Sequence, residues 1–202
     1  MKDLLIIAIN GSPNKKGNTA CLLQEALGQC QEMGAKGQII DCQTVLKEQK
    51  TPFCVACSSP CSGKCYKDTS LEKAYALMAQ ADALIVGSPV YFGSPSAQLK
   101  AFWDKGRQLR SEKKLINVVG GAVTSGRSRF GGQEPTLRTI HDMLLVQGMI
   151  VVGDGYSQDD CGHFGAAAQE PARDDENALK RARILGKRIF EVARATSPLR
   201  LR

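Results

Sequence analysis

The chain has 202 residues, 43% hydrophobic and 23% charged, which suits one folded domain with a full core and excludes disorder as its general state. Its net charge of +7 is spread along the chain except for the stretch from Lys180 to Arg202, and four Tyr, six Phe and one Trp leave little for base stacking, so nucleic-acid binding is not expected. The apolar run from Leu4 to Ile9 is too short for a signal-peptide core or a membrane span. With no longer run elsewhere the chain is expected to be cytoplasmic, and its eight cysteines are then not a disulfide framework.

Short β-branched runs alternate with longer helical patterns. The first strand is expected over 4–9 and the first helix over 18–33, where Leu22, Leu23, Ala26, Leu27 and Cys30 fall near helical spacing and Gly34 stops the helix. A strand over 38–42 follows, then a helix over 70–80 and a strand over 83–87. The next helix is expected over 96–109, anchored by Leu99, Phe102 and Trp103. A strand over 115–123, a helix over 134–146 and a strand over 149–152 come next. The last helix, over 174–195, carries Leu179, Ala182, Leu185, Ile189 and Val192 on one face.

Five strands, each followed by a helix, specify an α/β fold: a doubly wound, five-stranded parallel sheet with helices on both faces. The expected strand order is 2-1-3-4-5, the flavodoxin-like arrangement, in one domain spanning 1–202. The helix-to-strand connections are short. The strand-to-helix connections are long and rich in Gly, Ser, Pro and Asn: 10–17, 43–69, 88–95, 124–133 and 153–173. All are expected at the carboxyl edge of the sheet, where such folds bind ligands.

The first of these loops carries Ser12, Asn14, Gly17, Asn18 and Thr19 between a buried strand and a helix start. Backbone N–H groups there, with hydroxyl and amide side chains, form a seat for a phosphate. Asn18 follows Gly17 where a nucleotide-hydrolase loop needs lysine, and no G-x-G-x-x-G fingerprint is present. A phosphate monoester held by neutral donors fits this loop, and a plain turn with a helix cap is the alternative.

The segments Gly11-Ser12-Pro13 and Gly17-Asn18-Thr19 resemble the FMN phosphate loop of the NADPH-dependent FMN reductase family. Gly87-Ser88-Pro89-Val90-Tyr91-Phe92-Gly93-Ser94-Pro95-Ser96-Ala97-Gln98-Leu99-Lys100 is similar to that family's loop after the third strand. The resemblance implies that Pro89, Val90, Tyr91, Phe92 and Gly93 line the isoalloxazine ring. It also implies that the backbone of Thr124, Ser125, Gly126 and Arg127 approaches the ring or its ribityl chain. Gly131-Gly132-Gln133-Glu134 and the downstream Gln147-Gly148-Met149 resemble flavodoxin-like NAD(P)H:quinone reductases. With only two histidines, imidazole acid–base chemistry is not the theme, although His163 and Phe164 in the fifth loop are open to a substrate role.

The insertion at about 43–69 contains Cys54-x-x-Cys57-x-x-x-Cys61-x-x-x-Cys65. Four thiols on one polar loop suit an iron–sulfur cube, a zinc ion, or free thiols that include a Cys54/Cys57 redox pair. The position resembles the cysteine motif of the family's iron–sulfur flavoprotein branch, in which a [4Fe–4S] cluster passes single electrons to or from FMN. Here three residues rather than two separate Cys57 from Cys61. Cys21, Cys30 and Cys42 fall in regular elements as small hydrophobes, and Cys161 stands alone in a loop.

The expectation is therefore an FMN-dependent oxidoreductase, fed by NAD(P)H or a ferredoxin-like protein donor, with a [4Fe–4S] cluster as relay. Its competitors are a cluster-free quinone or FMN reductase and a non-catalytic flavin or metal sensor. By resemblance the chain forms a homodimer or homotetramer.

Overall fold

The computed structural model describes residues 3–200. Strand β1 (Leu5–Asn10) and helix α1 (Asn18–Glu32) are followed by β2 (Lys36–Asp41) and the short α2 (Cys42–Leu46). After the cysteine loop come α3 (Ser70–Met78), β3 (Ala83–Tyr91), β4 (Ser94–Pro95), α4 (Ala97–Lys105) and α5 (Arg107–Ser111). The chain continues through β5 (Val119–Gly126), α6 (Gln133–Leu145), β6 (Ile150–Val151), β7 (Ala166–Gln169) and α7 (Glu176–Ala195).

Five parallel positions run β2-β1-β3-β5-β6, the expected 2-1-3-4-5 order. Two short strands bring the sheet to seven. β4 folds back antiparallel on β3, and β7 resumes the outer edge of β5 beyond β6. Successive side chains of a strand face opposite ways. Accordingly Ile7 and Ile9 of β1 join the core under α3, α4 and α6, while Ile6 and Ala8 join the core under α1 and α7. Each fully buried isoleucine contributes roughly 1.5–3 kcal/mol, so this two-sided burial holds the central strands in register.

The α1–α7 contact is close. Cys30 Sγ donates to the Gly186 carbonyl at 3.2 Å, and a Cβ at Gly186 would lie 2.3 Å from the Ala26 carbonyl. Burial raises the Cys30 thiol to about 12, as suits a packing residue. Cys42 is also buried, whereas Cys21 is half-exposed and Cys161 exposed. Three basic residues of α7 are paired within the molecule: Arg183 meets Glu25, Lys180 meets Asp159, and Arg181 meets Asp160. Among the described residues no helix is long and apolar enough to cross a membrane.

Five elements depart from the sequence reading. The helix expected over 96–109 is two helices that meet at Gly106, where the chain turns so tightly that a Cβ would sit 3.1 Å from the Trp103 carbonyl. The strand expected over 115–123 begins only at Val119, because Asn117 adopts positive φ and its N–H bonds the Gly148 carbonyl. It then runs on to Gly126, paired with β3 and β7. β3 likewise continues through Pro89 to Tyr91. β7, an alanine stretch with little intrinsic strand preference, forms because β5 offers an unpaired edge. Cys42 starts α2 rather than ending a strand.

Candidate functional site

Because β1, β3 and β5 are adjacent and parallel, their carboxyl ends lie side by side: Asn10 pairs Gly87, and Ser88 and Pro89 pair Thr124 and Ser125. A buried hydrogen-bond network joins the three exits. Gly11 N–H donates to the Gly87 carbonyl at 2.8 Å, and Ser96 Oγ donates to the Gly11 carbonyl at 2.6 Å. Ser96 N–H donates to Ser88 Oγ at 2.9 Å, and Thr124 Oγ1 donates to the Ser88 carbonyl at 2.8 Å. Gly11 has no room for a side chain, since a Cβ would meet Leu99 Cβ at 2.7 Å.

The loop over 11–17 is a chain of small turns. Ser12 N–H bonds Asn10 Oδ1, Asn14 N–H bonds Ser12 Oγ, and Lys16 N–H bonds Asn14 Oδ1. It delivers the chain into α1 at Gly17, which has no side chain to cap the helix, and the first turn carries no acidic residue. The amides that open α1 are thus left without a side-chain partner, where an anion is stabilised by the helix dipole and by N–H donors. α2, α3, α5 and α6 also start without a side-chain cap, whereas α4 is capped by Ser96 and α7 by Asp175. Ser12 and Thr19 are buried beside these amides, and Thr19 Oγ1 lies 3.1 Å from Ser125 Oγ. Asn18 Oδ1 is committed elsewhere, accepting from the Ala172 N–H at 2.9 Å.

Tyr91 and Phe92 stand exposed on the β3–β4 hairpin, whose two-residue turn, Phe92-Gly93, has positive φ at both positions. The start of α6 abuts this turn: a Cβ at Gly132 would come within 2.9 Å of Gly93 Cα. Pro89 and Val90 are half-buried and Arg127 is exposed. Thr124, Ser125 and Gly126 are buried strand residues rather than loop residues, so what they offer a ligand is chiefly the strand end. Beside them opens a cleft of about 1050 Å³ between the loop after β5 and the chain entering α7. Its walls carry Glu134, Glu170, Asp174, Asp175 and Glu176 against Arg129, which disfavours a phosphate there, whereas the first turn of α1 carries no acidic residue.

The cysteine loop does not stay at the carboxyl edge. It drapes over the α4–α5 corner, where Gly63, at positive φ, packs on Gln108 and Tyr66, and Tyr66 Oη donates to Gln108 Oε1 at 2.7 Å. Tyr66 meets Tyr75 edge-on at 5.0 Å, and Tyr75 Oη donates to the Phe102 carbonyl. Burial first, then the neighbouring Cys61 and Cys65, push the Tyr66 phenol above its usual range. All four thiols are free; Cys54 and Cys61 are half-exposed and Cys57 and Cys65 exposed. Among the described residues no three His, Cys, Asp or Glu side chains are grouped to hold a metal ion, so in this conformation the loop carries the donors without drawing them to one point. Two of the sulfurs have donors: the Ala56 N–H reaches Cys54 Sγ at 3.4 Å, and Lys105 Nζ reaches Cys65 Sγ at 3.7 Å. Thiols with such partners fit a thiolate-bound group in chemistry.

His163 and Phe164 lie on the segment between β6 and β7, where Gly165 packs on the Ala122 carbonyl midway along β5, away from the strand's carboxyl end. The buried Asp154 ties this segment down by accepting from His163 N–H and facing Arg181 at 3.4 Å. Arg181 grips Asp160 with both guanidinium nitrogens, and that hydrogen bond holds the Asp160 carboxyl down to about 2. Lys105 and Asp154 escape the sequence reading, and Ser88 and Ser96 enter it only within the quoted motif, without a role. Ser96 also has a local signal, as a helix cap ahead of Leu99.

A family model described as NADPH-dependent FMN reductase matches residues 4–163. The chain is 40% identical to an iron-sulfur flavoprotein of Methanocaldococcus jannaschii over 94% of its own length and 97% of the relative's. It is also 40% identical to an NAD(P)H dehydrogenase (quinone) of Chromohalobacter salexigens, over 58% of this chain and 65% of that protein. Among solved structures, a flavodoxin-type WrbA-like protein from Agrobacterium tumefaciens superposes with a TM-score of 0.69 at 22% identity, covering 96% of this chain and 99% of that one.

Proposed function

Since the chain belongs to the NADPH-dependent FMN reductase family, in its iron–sulfur flavoprotein branch, we propose that it is an FMN-binding oxidoreductase that takes electrons from NAD(P)H or a ferredoxin-like donor and relays them through a [4Fe–4S] cluster on Cys54, Cys57, Cys61 and Cys65. The observation that carries the flavin reading is the uncapped, acid-free start of α1 at the junction of the three strand exits. Bound FMN supplies the redox chemistry, and the chain supplies position and polarity. Ser12, Asn14, Gly17 and Thr19, with the first α1 amides, hold the phosphate with neutral donors. Asn18 serves mainly by anchoring the loop to Ala172. Pro89, Val90, Tyr91, Phe92 and Gly93 wall one side of the ring; Thr124, Ser125, Gly126 and Arg127 border the other. Phe92 and Tyr91, already exposed, supply apolar cover that excludes water from the ring.

The cluster, when bound, supplies one-electron transfer. The names of the relatives and the presence of sulfur-directed donors support it. We place the whole unit, 1–202, in the cytoplasm as a homodimer or homotetramer. A cluster-free quinone or FMN reductase is the second reading, favoured by the dispersed sulfurs of the cysteine loop. A non-catalytic sensor would bind FMN yet turn over no donor–acceptor pair.

The test is an absorbance spectrum of protein purified without oxygen, with FMN, iron and acid-labile sulfide assayed on the same sample. Flavin bands over a broad iron–sulfur absorption, with about four irons per chain, are expected. Flavin without iron sinks the relay and leaves the simple reductase. Absence of flavin after FMN is added sinks the central reading.

A further inference from the structure

The amino edge of the sheet, opposite the three strand exits, carries exposed apolar side chains beside a groove. The segment 112–118 turns sharply there, with positive φ at Lys113 (56°) and Asn117 (62°), the former a strained setting for a long side chain. Leu115 goes into the core, while Ile116 stays 42% exposed. Leu199, 54% exposed, is held alongside, because Asn117 Nδ2 donates to its carbonyl at 2.8 Å. Gly148 packs on Ile116, which brings the exposed Leu145 and Val146 at the end of α6 to the same edge. Ile116 and Leu199 line a groove of about 820 Å³ between α3 and α5, together with the buried Tyr75 and Leu109 and with Ala76 and Ala79. Large aliphatic side chains gathered in the open mark an interaction surface.

We propose that this edge is a self-association surface, in which Ile116 and Leu199 of one copy seat in the groove of a second copy and the reverse. The inference rests on the oligomer reading above and names the surface that forms it. Two observations select a second copy of this chain over another partner. The projecting side chains and the groove lie on one face, so a two-fold axis puts each projection into the other copy's groove, as an isologous contact requires. The charges around the groove are of both signs, Glu72 and Glu112 with Lys113 and Lys114. Under the same axis Glu112 of one copy comes to the basic pair of the other, whereas a strongly acidic or basic partner would meet like charge. Within one copy Glu112 and Lys114 are exposed and 3.7 Å apart, a pairing loose enough to be shared between copies. The carboxyl ends of β1, β3 and β5 lie at the opposite edge, so assembly here leaves the proposed flavin site uncovered.

The experiment measures mass by sedimentation velocity over a dilution series of the protein as purified, with FMN content and circular dichroism recorded on each sample. The variants are Ile116→Asp, Leu199→Asp, Glu112→Lys, and Lys113→Glu combined with Lys114→Glu. In the two aspartate variants the concentration for half-dissociation rises roughly tenfold or more, at unchanged FMN content and helical signal. Glu112→Lys and the combined lysine variant alter exposed charges only, and each alone dissociates more readily than wild type because like charges meet. An equimolar mixture of these two restores the wild-type mass, since each copy then offers the charge the other needs. Wild-type assembly in the aspartate variants, or a mixture no larger than its components, overturns the proposal, and the oligomer reading then stands on another surface. Should an aspartate variant lose its helical signal, the charge-reversed mixture decides. A wild type that is monomeric throughout the series fails the oligomer reading, takes this inference with it, and leaves the groove to another partner.

Discussion

Phe92 pairs a positive φ of 51° with a fully exposed ring, a combination that costs a bulky side chain about 1–3 kcal/mol. Asn or Gly is the usual occupant of such a hairpin turn. Phe92→Asn is therefore expected to raise the stability of the flavin-free protein by about 1 kcal/mol in urea titrations while weakening FMN retention on dilution. Equal FMN affinity in the variant would remove Phe92 from the flavin wall. A second residue sets a pH response. Burial holds the His141 imidazole below its ordinary 6.5, outweighing the opposite pull of Asp142 and a hydrogen bond with the Phe164 backbone. Its Nε2 is buried without a partner. The unfolded chain thus takes up this proton at higher pH than the folded one, so the contribution is full above 6.5 and declines as pH falls through it. Urea midpoints near about pH 7.5 and about pH 5.5 are expected to lie closer together in His141→Leu than in wild type. Neither feature can be read from residue type: the resemblance put Phe92 on the flavin wall without revealing its positive φ, and nothing in the sequence marks the buried setting of His141.

Two helix contacts govern the next level. At Gly186 the backbones of α1 and α7 approach so closely that a methyl group has nowhere to go. Gly186→Ala should cost about 1–3 kcal/mol in chemical denaturation, against a gain at an ordinary helix position. Ser96→Ala removes both the α4 cap and the donor to the Gly11 carbonyl, with an expected loss of about 1–2 kcal/mol and weaker FMN binding. The apolar spacing of α1, α6 and α7 made those helices legible in the sequence. The Gly106 break in α4–α5, the extension of β5 to Gly126 and the four-residue β7 were not legible, because each answers to a partner distant in the chain. In the candidate site the same split holds. Ser12, Asn14 and Gly17 follow from a local turn pattern. The diversion of Asn18 to Ala172 and the seat of the cysteine loop over α4–α5 depend on tertiary placement.

Over the whole molecule, the chain end is clasped to the amino edge of the sheet. The buried Arg200 bonds Asp82 Oδ1 at 3.1 Å and the Ala193 carbonyl at 2.6 Å, and Asp82 Oδ2 accepts from the Leu5 N–H. Arg200→Ala removes the charged bond to Asp82 together with the bond to the Ala193 carbonyl, and is expected to cost about 1.5–3 kcal/mol in global unfolding. A loss well under 1 kcal/mol would show the clasp to be ornamental. α4 also fixes a distance: at about 1.5 Å per residue, Ser96 and Lys105 sit roughly 13 Å apart along one rigid rod. The outer edge of the sheet bears on behaviour at high concentration. β6 is two residues long and β7 four, and a tethered segment without strand structure separates them. Such an interrupted margin gives a passing chain too few consecutive amides to zip onto, so fibre growth by strand addition is blocked on that flank.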